Sequence, residues 1–244
     1  MSQIQASEHV HAPSGPVRDE AGVAKYRHEA IAVVLQSCPT GECRVLCVQR
    51  TREPFVDKWS LPSGAMEVDE SLEDAITRHL AAKVNLTSMS YAEQLGTRSD
   101  PARDPFDRTI ATAYLVLIPW DQEWDLPVDA SWLLVDELPP MAFDHQEIVE
   151  LAVARLQAKL SYTNIGFALT PEEFRMSDLA QSYAAIMGHE VSATNLQRIL
   201  ARRGQLKATG KKAAPGAEGG RPAKLFSFAQ RSLEITDQFA TLRP

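Results

Sequence analysis

Acidic side chains are concentrated in the stretch GAMEVDESLEDAITRHLAAKVNL, residues 64–86. Glu67, Glu70, Glu73 and Asp74 are the candidates for metal binding among them. Carboxylate oxygens are the ligands that magnesium prefers, and a magnesium ion held beside a diphosphate can promote its hydrolysis. The same stretch carries Lys83, whose ammonium group repels a dication at close range. The residues are therefore a candidate site for diphosphate chemistry in which metal binding is weak.

The spacing of this stretch resembles the Nudix box. That box reads G, five residues, E, seven residues, and then R-E-U-x-E-E-x-G-U, where U is a bulky apolar residue. The matching positions are Gly64, Glu70, Arg78, Leu80 and Leu86. The departures are His79, Ala82 and Lys83 in place of glutamates, and Asn85 in place of the second glycine. The resemblance implies a domain that keeps the shape of the box and binds a nucleotide diphosphate without cutting it.

The residues before the box decide between this interpretation and a simpler one. Residues 71–84 also read as an ordinary amphipathic helix, since their apolar side chains share one stripe at helical spacing. However, residues 48–64, VQRTREPFVDKWSLPSG, resemble the usual Nudix run-in of a strand ending in Gln-Arg, a loop, and Trp-x-Leu-Pro-Gly-Gly. Ser63 replaces the first glycine of that pair. The run-in favours a Nudix-like fold.

Composition predicts a cytoplasmic protein that does not enter a membrane. The chain has 244 residues, enough for two ordinary domains, and 44% of them are hydrophobic. The apolar runs at 30–35 and 113–120 are too short to span a bilayer, and residues 1–20 lack the hydrophobic stretch of a secretory signal. Cys38, Cys43 and Cys47 have no metal-binding spacing and are expected to be reduced thiols.

Strand and helix patterns alternate in the first two thirds of the chain. Strand patterns cover 26–37, 42–50, 90–97, 108–119 and 132–135, and helical patterns cover 71–84 and 145–160. This alternation predicts an α/β/α sandwich. The predicted organisation is a disordered tail (1–21), a Nudix-like effector-binding domain (22–160), a linker (161–176), a second domain (177–232) and a C-terminal tail (233–244).

The second domain reads as a winged helix. Residues 177–187 and 193–203 form two amphipathic helices joined by a short turn, which is the helix-turn-helix signature. Ser192 is a good N-cap for the second helix, and Gly204 is a typical residue after a helix end. Segments 205–209 and 222–228 can pair as a hairpin, the wing. The predicted fold class is therefore α+β, a Nudix-like α/β/α sandwich followed by a winged helix-turn-helix domain.

Charge is distributed unevenly along the chain. The net charge is −7, yet residues 190–231 contain nine basic and two acidic side chains, so this segment is +7 and the remainder is −14. A basic tail alone is usually a solvated surface, but together with a helix-turn-helix it predicts binding to double-stranded DNA. The predicted DNA-binding residues are Ser192, Thr194, Asn195, Arg198, Arg202, Arg203, Lys207, Lys211, Lys212, Arg221 and Lys224.

A degraded Nudix box followed by a winged helix resembles the NrtR family of bacterial transcription regulators of NAD metabolism. Residues 96–119 resemble a DPRGR-type strand region, 138–152 an LP-x-x-AFDH segment, and 221–228 a GRPA-x-x-Y-x-F wing strand. The resemblance spans about residues 22–230. It implies a homodimeric repressor, not an enzyme, on a palindromic operator of NAD biosynthesis or salvage genes. ADP-ribose or a related nucleotide would release the DNA, and no cofactor or bound metal is expected.

The effector-binding residues are predicted from this resemblance and from charge. They are Arg50, Trp59, Arg78, Asp104, Arg108 and His145. Arginines can meet a pyrophosphate with paired hydrogen bonds. Three alternatives stay open: Trp59 stacks on the ligand or fills the core, Arg78 contacts the ligand or clamps the box loop, and Asp144 with His145 contacts the ligand or caps the following helix.

Two other functions are compatible with the chain. The first is an active Nudix ADP-ribose pyrophosphatase with an appended basic domain, against which Ala82 and Lys83 argue. The second is a non-catalytic module that binds RNA or protein, against which the helix-turn-helix argues.

Overall fold

The computed structural model describes residues 18–213 and 222–237. Its first part contains β1 (Arg27–Ser37), β2 (Cys43–Gln49), β3 (Trp59–Ser60), β4 (Ser63–Ala65), α1 (Leu72–Val84), β5 (Tyr91–Arg98), β6 (Thr109–Leu117), β7 (Ala130–Leu134) and α2 (His145–Tyr162). Its second part contains β8 (Phe174–Arg175), α3 (Met176–Met187), α4 (Ala193–Arg202), β9 (Leu206–Lys212) and β10 (Lys224–Phe228). Short 3₁₀ helices cover Val135–Glu137 and Ile165–Leu169.

Strand β1 is the centre of a seven-stranded mixed sheet. The sheet order is β3-β2-β1-β6-β5, with β4 also paired to β1 and β7 paired to β2. The β1–β6 pair is parallel, from Arg27 opposite Thr109 to Leu35 opposite Leu117. The side chains of residues 30–37 are all buried, because both faces of the sheet are covered. Such burial explains the unbroken apolar run in the sequence.

Alternation along β1 divides the interior into two layers. Ala32 and Val34 face helix α1, where they join Ile76 and Leu80. Ile31, Val33 and Leu35 face the other way, into a cluster that includes Ile148 and Leu156 of α2. Burying a side chain of this size contributes roughly 1.5–3 kcal/mol. The arrangement confirms the predicted α/β/α sandwich.

The winged helix follows with the predicted order of elements. Helices α3 and α4 pack on a small sheet of order β8-β10-β9. The Ser192 hydroxyl caps α4 by accepting from the Asn195 amide at 3.4 Å. Gly188 and Gly204 end α3 and α4 near the left-handed region, with φ of 72° and 67°, which a residue without a Cβ adopts at little cost. Strand β9 reaches Lys212, three residues beyond the predicted hairpin arm.

The segment predicted as a linker, 161–176, contributes residues 163–170 to the buried interior. Helix α2 continues to Tyr162, the Ile165–Leu169 turn is completely buried, and Phe174 begins a strand of the wing sheet. The sequence does not predict this role, because the apolar residues of a five-residue 3₁₀ turn between polar residues follow neither a helical nor a strand period. Apolar side chains from this turn fill the space between the two domains.

Polar contacts also join the two domains. The Ser37 hydroxyl donates to the Ser182 carbonyl at 2.8 Å, and the Ser182 hydroxyl donates to Ser37 Oγ at 3.0 Å. Both side chains are buried, so these hydrogen bonds lie in a dry junction. From α2, Gln157 Nε2 donates to the Ile186 carbonyl at 2.8 Å. The winged helix is therefore fixed on the sandwich by packing and by directional bonds.

The predicted tails are only partly within the described chain. Residues 233–237, assigned to a C-terminal tail, pack against the end of α2: the Glu234 amide donates to Asn164 Oδ1 at 2.7 Å, and the Thr236 amide to the Tyr162 carbonyl at 2.8 Å. Arg18 forms a bridge with Ala24 at the other end. Most of the predicted N-terminal tail, residues 1–17, and the remainder of the C-terminal one, 238–244, lie outside the described residues.

Two further expectations concern the whole fold. No helix within residues 18–213 and 222–237 is long and apolar enough to cross a bilayer. All three cysteines are free and buried. Burial raises the pKa of the Cys43 and Cys47 thiols to about 12, so both are protonated at neutral pH.

Gly166 in the junction predicts a measurable packing effect. A Cβ at this position would lie 2.4 Å from the Tyr183 hydroxyl and 2.8 Å from Phe228 Cζ. We expect Gly166→Ala to cost about 1–3 kcal/mol of unfolding free energy, measured by urea denaturation, because the core must expand.

Gly96→Ala is the matched control, since nothing lies within 4 Å of its added Cβ. The combined variant Gly166→Ala/Tyr183→Phe should recover part of the loss by removing the hydroxyl. Equal stabilities for the Gly166 and Gly96 variants would contradict the close packing of the junction.

Candidate functional site

Helix α1 begins and ends with local hydrogen bonds that set the geometry of the box. The Ser71 hydroxyl and the Asp74 carboxylate form a capping box at its start. At its end Asn85 is left-handed, with φ of 56°, and its amide donates to the Leu80 carbonyl. Asparagine tolerates this conformation better than other residues with a Cβ. Asn85 therefore replaces the second glycine of the box without changing the path of the chain.

Glu70 and Arg78 form a clamp on the box loop. Arg78 Nε donates to Glu70 Oε2 at 2.9 Å, Arg78 Nη2 also binds Glu70 Oε1, and the Glu67 amide donates to that same oxygen at 2.7 Å. The Arg78 hydrogen bonds, followed by that from Glu67, lower the pKa of Glu70 to about 2. Arg78 Nη2 also binds the Ala65 carbonyl at 3.0 Å. The structure thus places Arg78, a predicted effector contact, in the clamp.

His79 takes the place of a glutamate and packs into the loop. Its Nε2 donates to the Ala65 carbonyl at 2.9 Å. Burial lowers the pKa of His79, which keeps the ring neutral in this role. A Cβ on Gly64 would lie 2.1 Å from His79 Cε1, so the ring fits only against a glycine. The close approach of the His79 ring therefore explains why position 64, the first glycine of the box, is a glycine in this chain.

Lys83 opens onto a cavity of about 720 Å³ beside the box. Its Nζ donates to the Ser63 carbonyl. The charged side chains of the described lining are mostly cationic: Arg27, Arg50, Arg52 and Lys83 are cationic, and Glu53 and Asp129 are anionic. Arg27 also pairs with Glu29 at 2.7 Å, outside the cavity lining. The volume suits a nucleotide-sized ligand, and the excess of cations suits an anionic one.

The residues present do not fit the magnesium site of a hydrolytic Nudix domain. Within residues 18–213 and 222–237, no group of three or more His, Cys, Asp or Glu side chains could hold a metal ion. Glu70, the retained box glutamate, has both oxygens bound to Arg78. Ala82 and Lys83 stand in the lining where the box has carboxylates. The described residues of the box therefore do not form the carboxylate site that metal-dependent hydrolysis requires.

Arg50 holds the loop that covers one side of the cavity. Arg50 Nε donates to the Pro54 carbonyl at 2.7 Å, and its guanidinium lies 4.8 Å from the Phe143 ring centroid. Phe55 packs edge-on against Phe143, with centroids 5.0 Å apart. Phe55, Asp57 and Phe143 all have positive φ, 66°, 63° and 54°. Strained backbone of this kind gathers at ligand-binding loops.

Trp59 and His145 lie behind the cavity wall rather than in it. Trp59 on β3 is half-buried and packs against the core cluster. His145 is buried, and its Nδ1 accepts from the Leu61 amide at 2.9 Å. Burial lowers the pKa of His145 to about 3, so the ring is neutral. Trp59 lies two residues before Leu61 in the chain and His145 binds the Leu61 amide, and Leu61 itself lines the cavity.

Asp144 occupies the N-cap position of helix α2, but its side chain makes no capping hydrogen bond, so the capping alternative holds for its position only. Its carboxylate accepts from Arg103 Nη2 at 2.8 Å and from Arg98 Nε at 3.1 Å, which takes it away from the helix amides. The Arg103 side chain is only 3% exposed, so this ion pair is largely shielded from water. Burial raises the pKa of the Asp144 carboxyl, but Arg103 and Arg98 lower it by more. The pKa of Asp144 is therefore below its usual value.

Asp104 and Arg108 make local contacts near strand β6. Asp104 Oδ1 accepts from the Phe106 amide at 2.9 Å, and Oδ2 accepts from the Thr109 hydroxyl at 3.1 Å. The Arg108 guanidinium lies 5.1 Å from the Tyr26 ring centroid.

Arg50 lines the cavity, and the other five predicted effector residues lie elsewhere in the described chain. Arg27, Arg52 and Lys83 also line the cavity but were not among the predicted effector residues.

Helix α4 presents a polar face to solvent. Thr194, Asn195, Arg198 and Arg202 are exposed, while Leu196 and Leu200 are buried on the opposite face. Arg198 Nη2 donates to Asn195 Oδ1 at 2.8 Å. The predicted wing lysines are also exposed: Lys207, Lys211, Lys212 and Lys224. Lys207 Nζ donates to the Ala229 carbonyl at 3.2 Å, and Lys211 pairs with Glu173 at 2.8 Å.

Arg203 does not belong to this exposed face. Its Nη1 donates to the Ser161 carbonyl at 2.8 Å, and its Nη2 pairs with Asp237 at 2.7 Å. Arg203 therefore ties the end of α4 to the end of α2, which corrects its predicted role in contacting DNA. Arg221 lies outside the described residues. Ser192 is occupied as the cap of α4.

Two family models match the chain. The Nudix domain model matches residues 26–152, and the NrtR DNA-binding winged helix domain model matches residues 166–228. The chain is 28% identical over 212 residues to the ADPR responsive transcriptional repressor NtrR of Acinetobacter baylyi, covering 84% of this chain and 83% of the relative. It is also 27% identical over 135 residues to the ADP-ribose pyrophosphatase of Methanocaldococcus jannaschii, covering 54% of this chain and 78% of that enzyme.

Solved structures show the same arrangement of domains. Shewanella oneidensis NrtR complexed with a 27mer DNA superposes with a TM-score of 0.73 at 28% identity, covering 82% of this chain and 92% of that one. The Nudix domain of the same protein, complexed with ADP ribose, gives a TM-score of 0.50 at 30% identity, covering 57% of this chain and 93% of that one.

The buried His145 predicts a dependence of stability on pH. Its folded pKa is about 3, below the unfolded value near 6.5, so the unfolded chain binds the proton more readily in between. Stability should therefore fall as pH decreases from about 6.5, by up to about 1.4 kcal/mol per pH unit from this residue. Urea unfolding at pH 7, 6 and 5 measures the slope.

His145→Asn keeps an acceptor for the Leu61 amide but does not titrate, so its slope should be shallower. The exposed His189→Asn is the control and should retain the wild-type slope. A wild-type slope in the His145 variant would contradict the neutral, buried ring.

Proposed function

The chain belongs to the Nudix domain family and carries an NrtR-type DNA-binding winged helix domain, and from this premise we propose that it is a transcriptional repressor released from DNA by a nucleotide. The observation that carries the proposal is the exposed polar face of α4 beside a basic wing. A second helix of a helix-turn-helix reads the major groove with side chains near its N-terminus. Thr194, Asn195 and Arg198 occupy that position.

The proposed effector is ADP-ribose or a related nucleotide, bound in the cavity beside Lys83. The cavity is rich in arginine, and arginine binds phosphoryl groups through paired hydrogen bonds. The described relatives support this choice, because one is named as ADPR responsive and another has ADP ribose on its Nudix domain. Arg50, Arg52 and Arg27 are the candidate phosphate contacts. The regulated genes would be those of NAD biosynthesis or salvage, in the cytoplasm.

The buried junction supports coupling between the two sites within one chain. The Ser37–Ser182 hydrogen bonds and the packed Ile165–Leu169 turn fix the winged helix to the sandwich. In a homodimer on a palindromic operator, the effector would then act by changing the spacing of two reading heads. Switching such an equilibrium from 99:1 to 1:99 requires about 5.5 kcal/mol of differential binding.

A second candidate is an ADP-ribose pyrophosphatase, which the similarity to the Methanocaldococcus jannaschii enzyme favours. We propose that this chain does not hydrolyse its ligand efficiently, because Ala82 and Lys83 replace carboxylates and Arg78 occupies both oxygens of Glu70. Release of AMP from ADP-ribose at enzymatic rates, with magnesium present, would support the enzyme instead.

The proposal predicts that a metabolite controls DNA binding. A fluorescent duplex carrying the palindrome upstream of an NAD-related gene should bind the full-length protein at nanomolar concentration in fluorescence anisotropy. ADP-ribose should lower that affinity by at least about tenfold, whereas NAD and NMN, titrated separately, test the identity of the effector. Affinity that stays the same with every nucleotide would overturn the effector role, and a failure to bind any duplex would overturn the repressor.

Side chains on α4 and the wing should differ in their effect on DNA. Arg198→Ala should cost about 1–3 kcal/mol on the operator and much less on random duplex, because Arg198 reads base edges. Lys212→Ala should weaken binding to both duplexes similarly and reduce the salt slope by about one, because it contacts phosphate.

Equal losses on operator and random duplex for both variants would exclude α4 as the reading helix. Circular dichroism melts of the two variants control for unfolding, since both side chains are exposed.

A further inference from the structure

We propose that Lys83 takes the place of the metal ion in the effector cavity, so that a nucleotide diphosphate binds without magnesium. This inference rests on the proposed function, because it concerns how the same effector is held. The Nudix box has glutamates at the positions that correspond to 79, 82 and 83, and this chain has histidine, alanine and lysine there. The inference starts from these three replacements.

The position of Lys83 suits direct contact with phosphate. The residue lies in the last turn of α1, next to Ala82, and both line the cavity. A lysine ammonium has three N–H donors and no acceptor. One donor is used by the Ser63 carbonyl, which fixes the ammonium at the cavity wall. The other two are available to phosphoryl oxygens, which a divalent cation would otherwise have to bridge.

The charge of the cavity supports the same assignment. In a hydrolytic site, carboxylates repel the diphosphate until a cation is bound between them. Here the described lining has four cationic side chains against Glu53 and Asp129, so its balance is already positive. A dication in this cavity would meet Lys83, Arg50 and Arg52 and would be repelled. Both ionised phosphoryl groups of a diphosphate diester can instead pair with side chains of the protein.

The surroundings of Lys83 favour the binding of an anion to its ammonium group. Desolvation by the cavity walls lowers the pKa of Lys83, and the nearby arginines Arg50, Arg27 and Arg52 lower it further, while Glu29 raises it. An anionic ligand placed among these cations relieves their mutual repulsion. Lys83 and the three arginines would therefore act as one anion-binding group, and removing one member should weaken the ligand strongly.

The remaining contacts of the box explain why its shape survives without metal. Glu70 is held by Arg78, and His79 is held by the Ala65 carbonyl. Lys83 joins the end of α1 to Ser63 on β4 by its own hydrogen bond. All three bonds join helix α1 to the preceding loop and strand without a metal.

The test is isothermal titration calorimetry of ADP-ribose into full-length protein freed of metal with EDTA, then repeated with magnesium. We expect the wild-type Kd to agree within about twofold between the two conditions. Lys83→Met should weaken binding by roughly 10- to 100-fold, the effect of losing charge-assisted hydrogen bonds. Lys83→Arg should retain most of the affinity, and Lys83→Glu should bind only when magnesium is added.

Lys58→Met is the matched control, because Lys58 is exposed and outside the cavity lining. Its Kd should equal that of the wild type. Thermal melts of each variant establish that it is folded, and Lys83→Arg maintains the test if Lys83→Met does not fold.

The possible results separate this inference from the proposed function. Wild-type protein that binds ADP-ribose only with magnesium, or a folded Lys83→Met that binds as tightly as the wild type, overturns the role of Lys83 and leaves the proposed effector in place. Wild-type protein that binds no ADP-ribose in either condition overturns both.

Discussion

Helix α2 is packed between the sheet and the winged helix, and this packing governs how the two sites relate. Ile148 and Leu156 of α2 share one buried cluster with Ile31 of the sheet and with Leu179 and Ile186 of α3. Close-packed interiors resist small continuous deformation and move as units. The shared core therefore favours movement of the winged helix together with the sandwich over a hinge between them. In the proposed homodimer, the switch would then act through the contacts between the two subunits.

The box shows that loop shape and metal chemistry are separable. Hydrogen bonds between Arg78 and Glu70, and between His79 and the Ala65 carbonyl, hold the loop on the helix. Asn85 supplies the left-handed turn of the lost glycine. None of these contacts requires a cation, so the shape of the loop does not depend on one. Lys83 stands where the box has a glutamate and gives this part of the cavity a positive charge.

The fold was predictable from the sequence because it depends on periodic burial. The unbroken apolar run in β1 and the apolar stripe on α1 each predict a buried face. Ser192 and Gly204 indicate where α4 begins and ends. The Ile165–Leu169 turn has no such period, so its place in the core could not be recognised.

The candidate site was harder to predict, since it is assembled from distant segments. Arg27 comes from the start of β1, Arg52 from a loop, and Lys83 from a helix end, and charge alone does not show that they converge. Arg203 shows the converse, because a basic residue beside a reading helix can be used entirely for internal contacts.

The ion pair between Lys211 and Glu173 has a consequence for the search of a genome. A phosphate that approaches Lys211 meets the Glu173 carboxylate at the same ammonium group, and the two anions repel each other. In the proposed complex this repulsion would lower the affinity for every DNA sequence by a similar small amount, since exposed ion pairs contribute at most about 1 kcal/mol. Millions of unrelated DNA sites compete with the operator for the protein, so weaker binding to those sites is an advantage. Such a protein would dissociate sooner from unrelated sequences, and more molecules would remain free to find the operator.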